Sequence, residues 1–265
     1  MHALICFILI FLVGASPCSA EMFKSRAAVA IDVLTEEIIF SKNPNRRLPP
    51  ASTVKLMTAI VALENGNLSE IVAISNNASH FRSSRVGFRE GDKITVEGLL
   101  YAALLESAND AAVALAEAVA GSEKQFVGLM NEKAIQIGAR NSRFINSNGL
   151  PGPGQHTTAL DLAKIMSYAM RYPKLREIVA TPATQIVTET GKTFLLKNTD
   201  KLLWINEKII GGKTGYTRSA RHCFVCAAGD GRKTIIVSLL GSPTRRNLWA
   251  ETEKLISRSL RANPA

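Results

Sequence analysis

The 265-residue chain is 46% hydrophobic and only 20% charged, which excludes a disordered polymer and allows a folded body with one sizeable core or two lobes. Its formal charge is +10 at neutral pH. Residues 1–20 contain no Asp, Glu, Lys or Arg, so the whole excess belongs to residues 21–265.

The chain opens on an apolar run from Ala3 to Val13, then Gly14, Ser16, Pro17 and small residues ending at Ala20. That is the pattern of a secretory signal cleaved near Ala20, and the run is shorter than a usual membrane span. Residues 1–20 are therefore expected to be a signal peptide and 21–265 a single folded domain, exported to the periplasm or cell envelope. Only the amino terminus and His2 supply charge ahead of the run, so an uncleaved anchor is the alternative. An exported basic protein meets anionic wall polymers and lipid headgroups, not nucleic acid, so no nucleic-acid partner is expected. Peripheral contact with a membrane through basic surface remains open.

AAVAIDV (27–33) and EIIF (37–40) read as a β-hairpin ahead of the Pro49-Pro50 break, and a helix follows from PAST. TVEGLLYAALL and DAAVALAEAVA are two Ala/Leu helices parted by ESAN, whose Ser and Asn compete for backbone hydrogen bonds and favour a connecting loop. Ser122 and Gln125 form a capping box for a helix from Glu123 to about Ile137, with Gly138 as its stop, and a further helix is expected over 159–171. Beyond residue 180 the chain turns β-rich in TQIVT, TFLLK, IIGGKTGYT, HCFVCAAG and KTIIVSLLG, with Asp230-Gly231 as a hairpin turn. An amphipathic helix closes the chain from Arg246. A β start, a helical middle and a β-rich end predict an α+β body in which the N-terminal hairpin shares an antiparallel sheet with the C-terminal strands.

Past the leader only Cys223 and Cys226 remain. Three residues apart on a strand, they point to opposite faces, which suits buried thiols better than a disulfide or a metal site. No metal and no cofactor is expected.

Chemistry concentrates in three short runs. Ser52 and Lys55 in STVK stand one helical turn apart, on the same face at a helix start, where the dipole is positive and backbone N–H groups are free to hold an oxyanion. For Lys55 to take a proton from Ser52 it must itself be neutral, which needs burial or a neighbouring cation. Lys213 in GGKTGYT can be that cation, with Thr214 offering a hydroxyl and Gly211, Gly212 and Gly215 letting backbone approach a ligand. Between them lies Ser107-Ala108-Asn109, interrupting the buried-looking helix pair. A second Ser-x-Asn run, Ser75-Asn76-Asn77, sits in a polar segment. His80, His156 and His222 lack the context of a histidine-assisted serine nucleophile.

STVK, SAN and KTG in this order form the three-motif signature of the penicillin-recognising serine enzymes. With PPASTVKLMTA, ITVEGLLYAALLESANDAAVALAE, GARNSRFINSNGL, TTALDLAKI and TRRNLWAETEKLI, most of residues 25–260 resembles the low-molecular-mass D-alanyl-D-alanine carboxypeptidases of the peptidase S11 family. The resemblance implies a β-lactamase/DD-peptidase-like α+β fold with an all-helical lobe. It implies removal of the terminal D-Ala from peptidoglycan pentapeptide stems, with β-lactams as covalent inhibitors. Ser52 would be the nucleophile, Lys55 its base, and Ser107 the relay of the proton to the leaving D-alanine. Asn109 would bond the substrate backbone, Lys213 would set the field, and Thr214 would bind the terminal carboxylate. Gly215 would admit the substrate, and the N–H groups of Ser52 and Tyr216 would form the oxyanion hole. Arg245 and Arg246 are both candidates for a second carboxylate partner, and Arg246 is the one assigned. Leu248 stands where some relatives have an arginine. A class A β-lactamase needs a Glu in an E-x-x-L-N run, and none is present. The alternatives are an endopeptidase acting on cross-links, or a non-catalytic penicillin-binding or wall-binding protein.

Overall fold

The computed structural model describes residues 23–262, so the leader expected over 1–20 lies outside the described residues. Strands β1 (Ala27–Asp32) and β2 (Ile38–Lys42) pair as the expected hairpin, with a register shift between Ala30 and Ile31. Asp32 shapes their connection: its Oδ1 accepts from the N–H groups of Leu34 and Thr35 at 2.8 and 3.1 Å.

The short pair β3 (Ile71–Ala73) and β4 (Lys93–Thr95) brackets a one-turn helix α2 (Asn76–Ser79). Three long strands come late in the chain: β7 (Ile209–Thr217), β8 (Arg221–Gly229) and β9 (Thr234–Ser242). β9 pairs with β1, which gives a five-stranded antiparallel sheet of order β2-β1-β9-β8-β7 built from the two ends of the chain. The intervening pair β5 (Ala183–Val187) and β6 (Thr193–Lys197) does not join it and forms a separate hairpin. The two share one alternation: exposed side chains at Val187 and Leu195, buried ones at Ile186 and Leu196.

Each face of the large sheet buries a different set of helices. On one, Leu248, Leu255 and Ile256 of α8 (Arg245–Arg261) pack on Phe224, Cys226 and Val237. On the other, Cys223, Val225, Ala227 and Ile236 join the larger core, which includes α1 (Lys55–Asn65) and α6 (Ala159–Ala169). Cys223 and Cys226 thus fall on opposite faces, both buried and unbridged. Burial pushes the Cys223 thiol up to about 12 and the Cys226 thiol well above its ordinary value, so neither is a nucleophile at neutral pH.

The helical lobe consists of α3 (Val96–Leu105), α4 (Asn109–Ala120) and α5 (Glu123–Gln136), packed against α1. Small Ala side chains let α3 and α4 approach closely, while Phe126, Met130 and Ala134 put one face of α5 into the core. Ser122 caps α5 as expected, accepting from the Gln125 N–H at 3.3 Å. The helix expected over 159–171 ends at Ala169, and Pro173 opens a separate helix α7 (Pro173–Ala180) after an extended Tyr172. Proline excludes the helical conformation from the residue before it and suits the first helical position, so the break follows from the sequence.

One buried carboxylate shapes the lip of the cleft between lobe and sheet. Asp110, fully buried in the first turn of α4, accepts from the N–H groups of Val86, Gly87 and Phe88 at 3.3, 2.9 and 3.3 Å. Removing it leaves those donors without their acceptor. Asp110→Ala should lose about 3 kcal/mol of stability in urea unfolding, on the order of one buried charged network, and should expose segment 81–88 to proteolysis.

Candidate active site

The chain enters α1 through a 3-10 turn, Ala51–Val54, whose N-cap Pro50 makes no side-chain cap bond. Ser52 is therefore not spent on capping. Ala51 is held at φ 51°, in the left-handed region, and its carbonyl lies where a Cβ on Gly149 (φ +85°) would come within 2.0 Å. Only glycine at 149 admits that approach. On the other side β7, the edge strand of the sheet, runs so near that a Cβ on Gly215 would sit 3.0 Å from the Ser52 nitrogen and 3.1 Å from that of Thr53. Gly215 thus lets β7 pass directly beside the backbone nitrogen of Ser52.

Lys55 begins α1 and is fully buried. Its Nζ lies 2.7 Å from Asn109 Oδ1, 2.7 Å from the Asn148 carbonyl oxygen and 3.1 Å from Ser52 Oγ. A neutral amine has two N–H donors and one lone pair. The two oxygens that can only accept take the donors, and the lone pair is left to the Ser52 hydroxyl, the one partner able to donate. Burial drives the Lys55 pKa well below its ordinary value; the charge of Lys213 lowers it further, and Asp110 opposes both.

Lys213, on β7, is 1% exposed, and its Nζ donates to the Thr214 carbonyl at 3.1 Å. Burial pulls its pKa down to about 7 against the opposing charges of Asp200 and Glu106. Next to it the Thr214 hydroxyl is 2.7 Å from that of Thr199, so Thr199 fixes the rotamer of the side chain expected to meet the carboxylate.

Ser107 joins α3 to α4 and lines the cleft, at φ 60°. A serine in the left-handed region costs about 1–2 kcal/mol and persists only where its surroundings impose it. Asn109 is engaged at both ends: Oδ1 accepts from Lys55 and Nδ2 donates to the Ser83 carbonyl at 3.0 Å, while its backbone N–H donates to the Ser84 carbonyl at 2.6 Å. It ties Lys55 to the loop that forms the far wall and is itself almost wholly buried behind the cleft lining.

The cleft encloses about 780 Å³, bounded by Ser52 and Ser107 on the helical side and by Thr214, Gly215 and Tyr216 on β7. Arg245 lines it together with Leu248 and Trp249, three and four residues on along the same face of α8. Arg246, the assigned residue, is not among the lining residues, because it projects about 100° around the helix from Arg245. Of the two candidate arginines, Arg245 is the one that lines the cleft. His222, opposite Tyr216 in the β7–β8 register, stacks on its ring with centroids 4.5 Å apart. Burial and the neighbouring Arg245 hold the imidazole below its ordinary pKa, so it is neutral at pH 7. Residues that motif reading missed, Asn148, Thr199 and His222, act through a carbonyl, through another hydroxyl, or from the neighbouring strand, and none of these leaves a local pattern.

A serine hydroxyl that meets a desolvated lysine at the mouth of an α+β cleft is the arrangement that lysine-assisted acyl transfer requires. The sequence profile described as D-alanyl-D-alanine carboxypeptidase, peptidase S11, matches residues 15–244. The chain is 33% identical over 238 residues to D-alanyl-D-alanine carboxypeptidase DacF of Bacillus subtilis, spanning 88% of this chain and 61% of that relative's length. It is 33% identical over 244 residues to D-alanyl-D-alanine carboxypeptidase DacB2 of Mycobacterium tuberculosis, spanning 89% of this chain and 82% of the relative. A crystal structure of a D-alanyl-D-alanine carboxypeptidase from M. tuberculosis H37Rv superimposes with a TM-score of 0.88 at 31% identity, over 95% of this chain and 96% of that one. The chain belongs to the peptidase S11 family of D-alanyl-D-alanine carboxypeptidases.

An arginine in place of Lys55 keeps a positive charge but cannot lose its proton at accessible pH. Lys55→Arg should slow acylation of Ser52 by a penicillin on the order of 10³-fold, the usual magnitude for loss of a general base. Stopped-flow or gel-based labelling rates check this, and near-normal acylation would show that Lys55 serves only as a charge.

Proposed function

We propose that this protein is a serine D-alanyl-D-alanine carboxypeptidase that removes the last D-Ala of peptidoglycan pentapeptide stems through an acyl-enzyme. The observation that carries the reading is the Lys55 amine, held by Asn109 Oδ1 and the Asn148 carbonyl with its remaining valence on Ser52 Oγ at 3.1 Å. Ser52 Oγ attacks the carbonyl carbon of the penultimate D-Ala while its proton passes to Lys55 Nζ. The resulting oxyanion takes the N–H groups of Ser52 and Tyr216, where β7 passes the 3-10 turn. As the C–N bond breaks, the leaving amine takes a proton through Ser107. Water then cleaves the ester, one proton returns to Ser52, and the shortened stem leaves as its carboxylic acid.

The same site accounts for penicillin binding, since a strained amide beside a carboxylate presents its carbonyl to the same nucleophile. In keeping with the leader-like sequence of residues 1–20, the protein acts after export, at the cell envelope. No helix among the described residues is long and apolar enough to cross a membrane.

Two outcomes test this reading. A fluorescent penicillin should label the purified protein at Ser52, located by peptide mass spectrometry, and labelling that survives Ser52→Ala would refute the nucleophile. The terminal carboxylate is assigned to Thr214, Lys213 and Arg245. A site built to bond a charged group leaves its own partners unpaired when that group is missing, so peptides ending in D-Ala-D-Ala should exceed their C-terminal amides by on the order of 10²-fold or more in kcat/KM. Thr214→Val and Arg245→Ala should shrink that ratio by slowing the acid, and Arg246→Ala should leave it unchanged. Equal rates on acid and amide would point instead to an endopeptidase working inside cross-links.

A further inference from the structure

A second buried acid stands behind the cleft, and no step of the proposed reaction uses it. Asp200 lies beyond β6, directly before a 3-10 turn Leu202–Trp204 that packs on β7, and its side chain has no exposure to solvent. Oδ1 accepts from the N–H groups of Leu202 and Leu203 at 2.9 and 3.3 Å. Oδ2 is buried and has no hydrogen-bond partner. An ionised carboxylate with an unused oxygen in a dry interior persists only where a positive charge lies near it. A protonated carboxyl would be no better placed, because its O–H at Oδ2 would lack an acceptor.

The cation that acts on Asp200 is Lys213 of β7, and the other ionisable group that feels its charge is the Cys226 thiol of β8. The charges that act on Lys213 are those of Asp200 and of Glu106 at the end of α3, and the charge of Lys213 acts in turn on Lys55 of α1. Lys55 is faced by Lys213 and by Asp110 of α4. Two buried lysines therefore compete for protons. Catalysis needs an uneven split, with Lys213 charged to attract the carboxylate and Lys55 neutral to act as base. Asp200 and Glu106 favour charge on Lys213, while Asp110 favours it on Lys55.

We propose that Asp200 is a positioning residue for the pair, its buried carboxylate being the counter-charge that keeps the proton on Lys213 and leaves Lys55 free. This deepens the reading of Lys55 as base and Lys213 as the cation of the cleft. Burial raises the Asp200 pKa to about 6, so the carboxyl is ionised at pH 7 and above and loses its charge as the pH falls through about 6. In the free enzyme the alkaline limb of kcat/KM reports loss of the proton from Lys213, and the acid limb reports its gain by Lys55.

Asp200→Asn is isosteric, removes the charge and keeps an oxygen for the two backbone donors. The test is the pH profile of second-order acylation by benzylpenicillin for wild type and variant, with thermal unfolding of both. The alkaline limb of the variant should move down by about one pH unit or more, with the rate at pH 8 falling on the order of tenfold, as removal of one buried counter-charge implies. Limbs at unchanged pH, with or without a uniform drop in rate, would overturn the proposal and leave Asp200 a structural cap. Should the variant fail to fold, 13C NMR of aspartate-labelled wild type decides the matter. Asp200 is expected to be ionised at pH 7.5, and a carboxyl still protonated at pH 8 cannot be the counter-charge. Wild-type acylation at Ser52, read in the same experiment, tests the underlying assignment separately.

Discussion

The structure is organised around one unfavourable act: the burial of the Lys55 amine. A lysine in water carries its proton to about pH 10 and is no base at neutral pH. Withdrawn from water and set near Lys213, it gives the proton up. Everything that meets at Ser52 serves to keep this amine dry, satisfied and correctly turned. Asn109 comes from the helical lobe, Asn148 from the loop after α5, and Ser52 from the turn ahead of α1, so three separate segments must converge on one nitrogen.

That convergence is held by backbone that would be poor elsewhere. Ala51 and Ser107 both sit in the left-handed region, and the Gly149 and Gly215 positions leave no room for a Cβ. These are local sacrifices of stability at a functional site, offset by a core in which α3 and α4 are almost wholly buried. The cleft lies where the helical lobe meets the edge of the sheet. β7 thus leaves one side unpaired within the sheet beside Ser52, and an extended peptide can pair with a strand edge of this kind.

Much of this was legible in the sequence, for reasons that differ by element. β-rich runs and the Asp230-Gly231 turn announced β7, β8 and β9, and the opposed faces of Cys223 and Cys226 came directly from their spacing on a strand. Ser and Asn between two Ala/Leu helices marked the turn that carries Ser107. The expected helix already stopped short of Pro173, and what went unread was the short helix α7 that Pro173 opens. Side-chain direction was less legible than side-chain type. Arg245 and Arg246 are chemically identical neighbours, and only the rotation of α8 places the first in the cleft. Asn148, Thr199 and Asp200 were invisible because each acts through contacts that only the folded chain creates: a carbonyl oxygen, a partner hydroxyl and a distant charge.

Burial makes Lys55 a base and the charge of Lys213 adds to it, so the most direct test is to read the proton on Lys55 itself. Wild-type protein carrying 13Cε- and 15Nζ-labelled lysine can be titrated by NMR, with the Lys55 signal identified by its loss in Lys55→Arg. The amine should be neutral across the pH range in which Ser52 is acylated, with its signal changing only well below the ordinary lysine range. A Lys55 that keeps its ammonium signature up to about pH 10 would contradict the account.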